Sequence, residues 1–384
     1  MRVTMLVRCL AMMRGGGETR HLAWIRALTA MGVEVDVIAG RPLFRAMRHP
    51  IDEVPATIIR SPYARDAVYR WQRRRGFGRL GVAALHADEE LFCRAAWRHI
   101  AARSTPPDVV HAHALHQAAR LRRRAIPVVI NLPGPPAPRY RDDLREADAL
   151  VSDGWGAEHL PALIGLPVEP IVKGVDSSLF TPEGANRRAE LDLARKRVVL
   201  TVSRLVPIKN VSLLVRAFAQ ARATRADLSL IVVGDGPERK RIDAEVRALG
   251  VGDAVRFAGY VPHAETPSWY RTADLFALSS DFDNSPNVVL EAMACGLPIV
   301  ATDVGGLRHF VTPGRHGELV PAGDAAAMAA GIGDMVAAQP AARAIGARNR
   351  ADVVAKFSWS ESARQLRDVY ERVCASRGHA RATA

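Results

Sequence analysis

Two carboxylates eight positions apart, Asp283 and Glu291, sit in the stretch DFDNSPNVVLEAMACGLPIVATDVGG, Asp281 to Gly306. Ser285 is placed to cap a helix whose first residue is Pro286, because proline loses nothing in a first turn whose N–H groups lack partners. The predicted helix then runs Asn287 to Cys295, and Gly296 ends it. The apolar run LPIVAT reads as a buried strand, closing on Asp303 and the pair Gly305 and Gly306. Free N–H groups and the positive dipole end at the helix start suit anionic or strongly polar oxygens. The two acids would repel a phosphate, so the partner that fits them is a polyol whose hydroxyl hydrogens they accept. Alone, the pattern also fits a capped helix carrying surface acids.

A second constellation lies in RVVLTVSRLVPIKN. A buried strand delivers Ser203, Arg204 and Leu205 to its carboxyl end, and a short loop presents Lys209 before the helix NVSLLVRAFAQAR. Two cations five positions apart at a strand end suit a diphosphate, arginine through its fork of donors and lysine as a point charge. Near the amino terminus Gly15, Gly16 and Gly17 follow the strand VTMLVRCL and allow backbone to approach a ligand without interference from Cβ. PDVVHAHALH is a buried strand ending in His111, His113 and His116, and alternation sets the first two on one side. No carboxylate or thiolate stands at zinc-ligand spacing from them, so no metal site is expected.

These residues need a scaffold, and 384 residues at 48% hydrophobic content suffice for two domains. Strand, Gly turn, helix and strand in succession are the opening of a doubly wound parallel sheet, in which ligands gather at the carboxyl ends of strands. The net charge of +13 is spread over both halves and favours anionic partners such as nucleotides or phospholipid surfaces. No nucleic-acid recognition motif accompanies it, so nucleic acid is not expected as a partner. Tyr69, Trp71, Phe77 and Leu80 alternate with Arg70, Arg73, Arg74, Arg75 and Arg79, which suits a membrane-surface or anionic-acceptor contact and equally a solvated helix face. The four cysteines, Cys9, Cys93, Cys295 and Cys374, are far apart and read as reduced in a cytoplasmic chain. The opening MRVTMLVRCLAMM reads as a strand and not a signal peptide, and no apolar run is long enough to span a membrane.

Taken together the motifs resemble the family-four retaining glycosyltransferases of the GT-B fold, the group 1 type. The resemblance rests on a carboxylate, seven residues and Glu-Ala-Met-Ala, on SRL…KN at Ser203 to Asn210, on the GDGP turn, on DVVHAH and on GGGE. KGVDSSLFTPE resembles the family's interdomain hinge with Lys173 in place of asparagine, and FSWSESARQLRDVYERV its terminal helix. Asp283 stands where the family usually has glutamate. The fold implied is two doubly wound Rossmann-like domains facing each other across a cleft. Residues 1–172 form an acceptor domain, 173–197 a hinge, 198–357 a nucleotide-sugar domain, and 358–384 a helix that returns to the first domain and ends in a frayed tail.

The function implied is transfer of a sugar from a nucleotide-sugar donor, UDP- or GDP-linked, to a hydroxyl acceptor, with lipid-linked and anionic acceptors among the candidates. Glu291 would hold the ribose, and Asp283 with the backbone at Asn287 and Val288 the sugar. Arg204, Lys209 and the backbone at Gly16 would hold the diphosphate, substituting for a metal, and His113, supported by His111, would face the reacting sugar. Phe257 or Arg256 would lie by the base. No cofactor is implied, and the cytoplasm, or the inner face of the cell membrane, is the expected location. A catalytically silent sugar-nucleotide-binding partner subunit, an epimerase and a phosphorylase are the alternatives on the same fold.

Overall fold

The computed structural model describes residues 1–10, 16–42, 54–61 and 79–382. Gly15 and the aromatic and arginine-rich stretch from Tyr69 to Phe77 lie outside them. The chain divides into two compact units, Met1–Val172 with Trp359–Ala384, and Lys173–Ser358.

In the first unit the strands are β1 (Arg2–Leu6), β2 (Glu34–Pro42), β3 (Ala56–Ser61), β4 (Val109–His113), β5 (Val128–Asn131), β6 (Ala149–Ser152) and β7 (Glu169–Pro170). They form one parallel sheet in the order β3-β2-β1-β4-β5-β6-β7. Short runs of valine, leucine and isoleucine serve here because both faces are covered. Val3 and Met5 pack with Trp24, Ile25 and Leu28 of helix α1 (Gly16–Ala30) on one face, while Leu6 packs with Phe92, Trp97 and Ile100 of α2 (Arg79–Ala101) on the other. The strand order reverses direction between β1 and β4. That is where a doubly wound sheet opens a crevice for ligands.

The second unit repeats the plan with β8 (Arg197–Val202), β9 (Leu228–Val233), β10 (Val255–Gly259), β11 (Leu275–Leu278), β12 (Ile299–Thr302) and β13 (Gly317–Val320), ordered β10-β9-β8-β11-β12-β13 and all parallel. Its switch point is between β8 and β11. Helices α3 (Val211–Thr224), α4 (Asn287–Ala294) and α5 (Ala325–Ala337) cover the sheet from its two faces.

Two segments differ in character from what the sequence suggests. The polar segment 173–197, read as a hinge, packs into the second unit: Val175, Phe180 and Leu193 are buried in its core, and Arg188 pairs with Asp274 at 2.5 Å. A few spaced apolar anchors were enough to dock a segment whose average composition looked like linker. The terminal helix α6 runs Trp359–Ala382, so the stretch from Ser376 that read as frayed is helical almost to its end. Alanine and arginine are strong helix formers, and the lone Gly378 costs about 1 kcal/mol, too little to stop it. Leu366, Val369, Tyr370 and Val373 of α6 bury against α1 and β1 within the first unit.

Candidate active site

The carboxyl end of the second sheet collects the predicted cations and acids. Ser203 and Arg204 leave β8 directly, and a one-turn helix, Pro207–Lys209, lifts Lys209 to the same edge. Asn210 sits at φ 40°, and its Oδ1 accepts from Leu213 N to cap α3 while its Nδ2 donates to Asp281 at 2.8 Å. Asp281 N donates to Ile208 O at 2.9 Å, so the loop bearing Lys209 is stitched to the loop after β11. Lys209 Nζ thereby meets the carboxylate of Asp283 in an ion pair. Arg204 is exposed, and its guanidinium forms no ion pair among the described residues.

Gly305 and Gly306 close over Asp283 from the β12 side. Gly306 N donates to Asp283 O at 2.9 Å, and a Cβ on Gly305, at φ 53°, would stand 1.9 Å from that oxygen. Only glycine fits there.

The helix start departs from expectation. Pro286 has extended backbone, φ −73° and ψ 115°, so it is the cap and Asn287 the first helical residue. Ser285 is thus one residue too early to reach the first-turn N–H groups, and no side chain caps α4. Its hydroxyl is buried without a hydrogen-bond partner, as are Ser203 Oγ, Ser280 Oγ and Asn287 Oδ1. These four oxygens lie around one strand edge and helix start, among fourteen such side-chain atoms in the described residues.

Glu291 lies within α4, 5% exposed, and both its carboxylate oxygens are held. Tyr270 donates its hydroxyl to Oε2 at 2.8 Å and His263 donates Nε2–H to Oε1 at 3.0 Å. The hydrogen bond to Glu291 raises the His263 pKa above its ordinary value against the opposing effect of burial. His263 and Tyr270 were not among the residues singled out in the sequence. They stand 28 and 21 positions from Glu291, and no local spacing signals a contact made by packing. Phe257, expected beside the base, carries the guanidinium of Arg239 at 4.0 Å from its ring centre, another partner the sequence did not reveal.

At the carboxyl end of the first sheet, Gly16 begins α1 and Gly17 presses against His113: a Cβ on Gly17 would stand 2.7 Å from His113 Nε2. His113 Nδ1–H donates to Asn131 Oδ1 at 2.9 Å, which fixes the ring. Behind it runs a directed chain. His21 Nδ1 must donate to Gly17 O at 2.7 Å, since a carbonyl only accepts, so its Nε2 accepts from His111 Nε2–H at 3.3 Å, and His111 Nδ1 accepts from Tyr370 OH at 2.9 Å. Burial, with the neighbouring histidines and Arg20, drives the His111 pKa down to about 3 and that of His21 well below the ordinary range. Both stay neutral, and the terminal helix α6 is tied through them to the Gly loop.

Among the described residues no cluster of three or more His, Cys, Asp and Glu is arranged to hold a metal ion, and no helix is long and apolar enough to cross a membrane. All four cysteines are free thiols.

The family described as Glycosyl transferases group 1 matches residues 184–352. D-inositol 3-phosphate glycosyltransferase of Kribbella flavida is 30% identical over 347 residues, covering 80% of this chain and 79% of that protein. The GDP-mannose-dependent alpha-(1-6)-phosphatidylinositol monomannoside mannosyltransferase of Mycolicibacterium smegmatis is 32% identical over 212 residues, 53% of this chain; the chain spans about half of that relative's length, 56%. In three dimensions the chain is similar to sucrose-phosphate synthase of Thermosynechococcus elongatus, with a TM-score of 0.81 at 24% identity over 98% of this chain and 99% of that one.

Proposed function

This chain belongs to the group 1 glycosyl transferases, of the GT-B fold, and on that premise we propose that it moves a sugar from a nucleotide-sugar donor to a hydroxyl acceptor, with retention of anomeric configuration and without a metal ion. Support comes from one edge of the second unit, where Arg204, Lys209, Asp283, Glu291 and four unsatisfied side-chain oxygens gather at the switch point of the sheet. Glu291, aimed by Tyr270 and His263, accepts the ribose hydroxyls. Asp283 and the backbone N–H groups of Asn287 and Val288 hold the sugar. Arg204 and Lys209 offset the charge that develops on the leaving diphosphate, which is the electrostatic stabilisation a metal would otherwise supply. In the first unit we assign the backbone at Gly16 to the diphosphate and His113 to positioning the sugar.

The chemistry is a front-face displacement. The acceptor oxygen bonds to the anomeric carbon on the face from which the phosphate oxygen departs, and that phosphate oxygen takes the acceptor's proton. A double displacement would need a carboxylate nucleophile on the opposite face of the sugar, and none of the assigned residues fills that role.

We assign the acceptor to the first unit. The two curated relatives named above carry inositol-based acceptors in their names, and with the net charge of +13 this favours a phosphorylated or lipid-linked polyol and a UDP- or GDP-linked donor. The cytoplasm is the assigned location, with a peripheral station on the inner face of the membrane when the acceptor is lipid-linked. Calorimetric titration with UDP, GDP and ADP in EDTA tests the donor site. One nucleotide should bind to the native protein and lose about 10-fold or more in affinity with Glu291→Ala; no binding by any of them would remove the proposal.

A further inference from the structure

One motif stays unused by that reading: His116, the third histidine of HAHALH. Just past β4 the backbone of Ala114 takes φ 49°, a left-handed turn that is unfavourable for a residue with a Cβ. The turn folds the chain back at the carboxyl end of the sheet and directs His116 onto α2. There His116 Nδ1 lies 3.2 Å from Glu89 Oε2, while Glu89 Oε1 accepts from Gln117 N at 3.0 Å. Glu89 is 4% exposed. Its two oxygens are taken up by Gln117 N–H and the His116 ring, so as a carboxylate it is the accepting partner of both.

The tautomer follows. An ionised carboxylate can only accept, so the proton of a neutral His116 is on Nδ1 and Nε2 carries a lone pair. The ring is stacked on Tyr140 at 4.3 Å and 16°, which fixes its plane, and Nε2 makes no hydrogen bond among the described residues. A carboxylate-held imidazole with an open acceptor nitrogen suits a hydroxyl hydrogen. It stands at the carboxyl end of β4, on the unit assigned to the acceptor.

We propose that the Glu89–His116 dyad is a hydroxyl-binding site for the polyol acceptor, in which His116 Nε2 accepts a hydroxyl hydrogen and Glu89 is the positioning residue. The proposal rests on the glycosyltransferase reading. It assigns His116 to binding the acceptor before and during transfer, so its loss raises the acceptor KM and leaves kcat and nucleotide affinity nearly unchanged.

The test uses two substitutions that separate the ring nitrogens. His116→Asn keeps a donor where Nδ1 stands and removes the Nε2 acceptor, whereas the amide oxygen of His116→Gln reaches the Nε2 position. With UDP-glucose, UDP-N-acetylglucosamine or GDP-mannose as donor, and glycerol, myo-inositol and myo-inositol 1-phosphate as hydroxyl probes, nucleotide release is followed alongside nucleotide binding by calorimetry. His116→Asn should raise the KM of the best probe about 10-fold with nucleotide Kd within 2-fold, His116→Gln should recover most of the loss, and Glu89→Gln should fall between them. Equal KM values in the native protein and His116→Asn, with nucleotide release and binding intact, would overturn the dyad alone. Loss of nucleotide binding in a folded His116→Asn would place His116 in the donor site and also overturn it. Absence of nucleotide binding or release in the native protein would remove the glycosyltransferase reading and the dyad with it.

Discussion

Lys209 and Asp283, 74 positions apart, form one ion pair with side chains 16% and 15% exposed. The pair joins the motif that supplies cations to the motif that supplies acids, and it rests on the stitched loops after β8 and β11. A partly buried pair stabilises little by itself, but removing one member strands the other's charge. In the proposed reaction the diphosphate draws on Lys209 and the sugar hydroxyls on Asp283, so the two groups hold each other in place until a donor separates them.

Lys209→Ala is therefore expected to lower turnover by about 10²- to 10³-fold, the range for losing one preorganised group at a developing negative charge. Asp283→Asn should lower kcat less and act mainly by raising the donor KM. Steady-state nucleotide release gives both values, and equal losses in kcat and KM for the two variants would contradict the division of labour.

His263 gives the donor site a pH dependence. Its pKa is raised by Glu291, so the imidazolium–carboxylate pair is intact below the unfolded value near 6.5 and is lost as pH rises through the folded value. Nucleotide affinity of His263→Ala should be several-fold weaker than native at pH 6, with the gap narrowing toward pH 9 as the imidazole loses its charge and keeps only its neutral Nε2–H donation to Glu291. Calorimetry at the two pH values decides, and a constant ratio would rule out a titrating His263.

The buried chain Tyr370, His111, His21 sets an acid limit on the first unit. Their histidine pKa values are depressed, so the unfolded chain binds protons that the folded one refuses, and stability falls as pH drops from about 6.5 toward 3. The slope is at most about 1.4 kcal/mol per pH unit for each histidine. Urea denaturation from pH 7 to 4 should show it, reduced in His111→Gln. Tyr370→Phe, which leaves His111 Nδ1 buried without a donor, should cost about 1–3 kcal/mol at pH 7.

Gly17 and His113 share one space. Gly17→Ala should displace the His113 ring and lower turnover sharply while the fold persists. In a His113→Ala background the clash is gone and the same substitution should cost nearly nothing further. A double-mutant cycle on kcat reads the coupling, and additive losses would show that Gly17 acts without His113.

Much of this was legible in the sequence because it is local. Arg204 and Lys209 lie on one strand-to-helix loop, and Asp283 and Glu291 flank one helix start, so strand and helix periodicity alone bring each pair to a sheet edge. Tyr270 and His263 were not legible, because their contact with Glu291 depends on how the loop after β10 packs on α4. Ser285 misled for a geometric reason: its type fits a cap, but an extended Pro286 moves the helix start one residue on. His21 had a signal that can be used elsewhere, its position four residues after Gly17, where one helical turn returns a side chain to the preceding carbonyl.

The most direct measurement is transfer itself: nucleotide release and the anomeric configuration of the product, by NMR, from nucleotide sugars with inositol-type acceptors in the presence of EDTA. Acceptor-dependent release, a product that keeps the donor's configuration, no loss in EDTA and near-complete loss in Glu291→Ala are expected. Inverted product, activity abolished by EDTA, or nucleotide that binds but is never released from its sugar would contradict the proposed reaction.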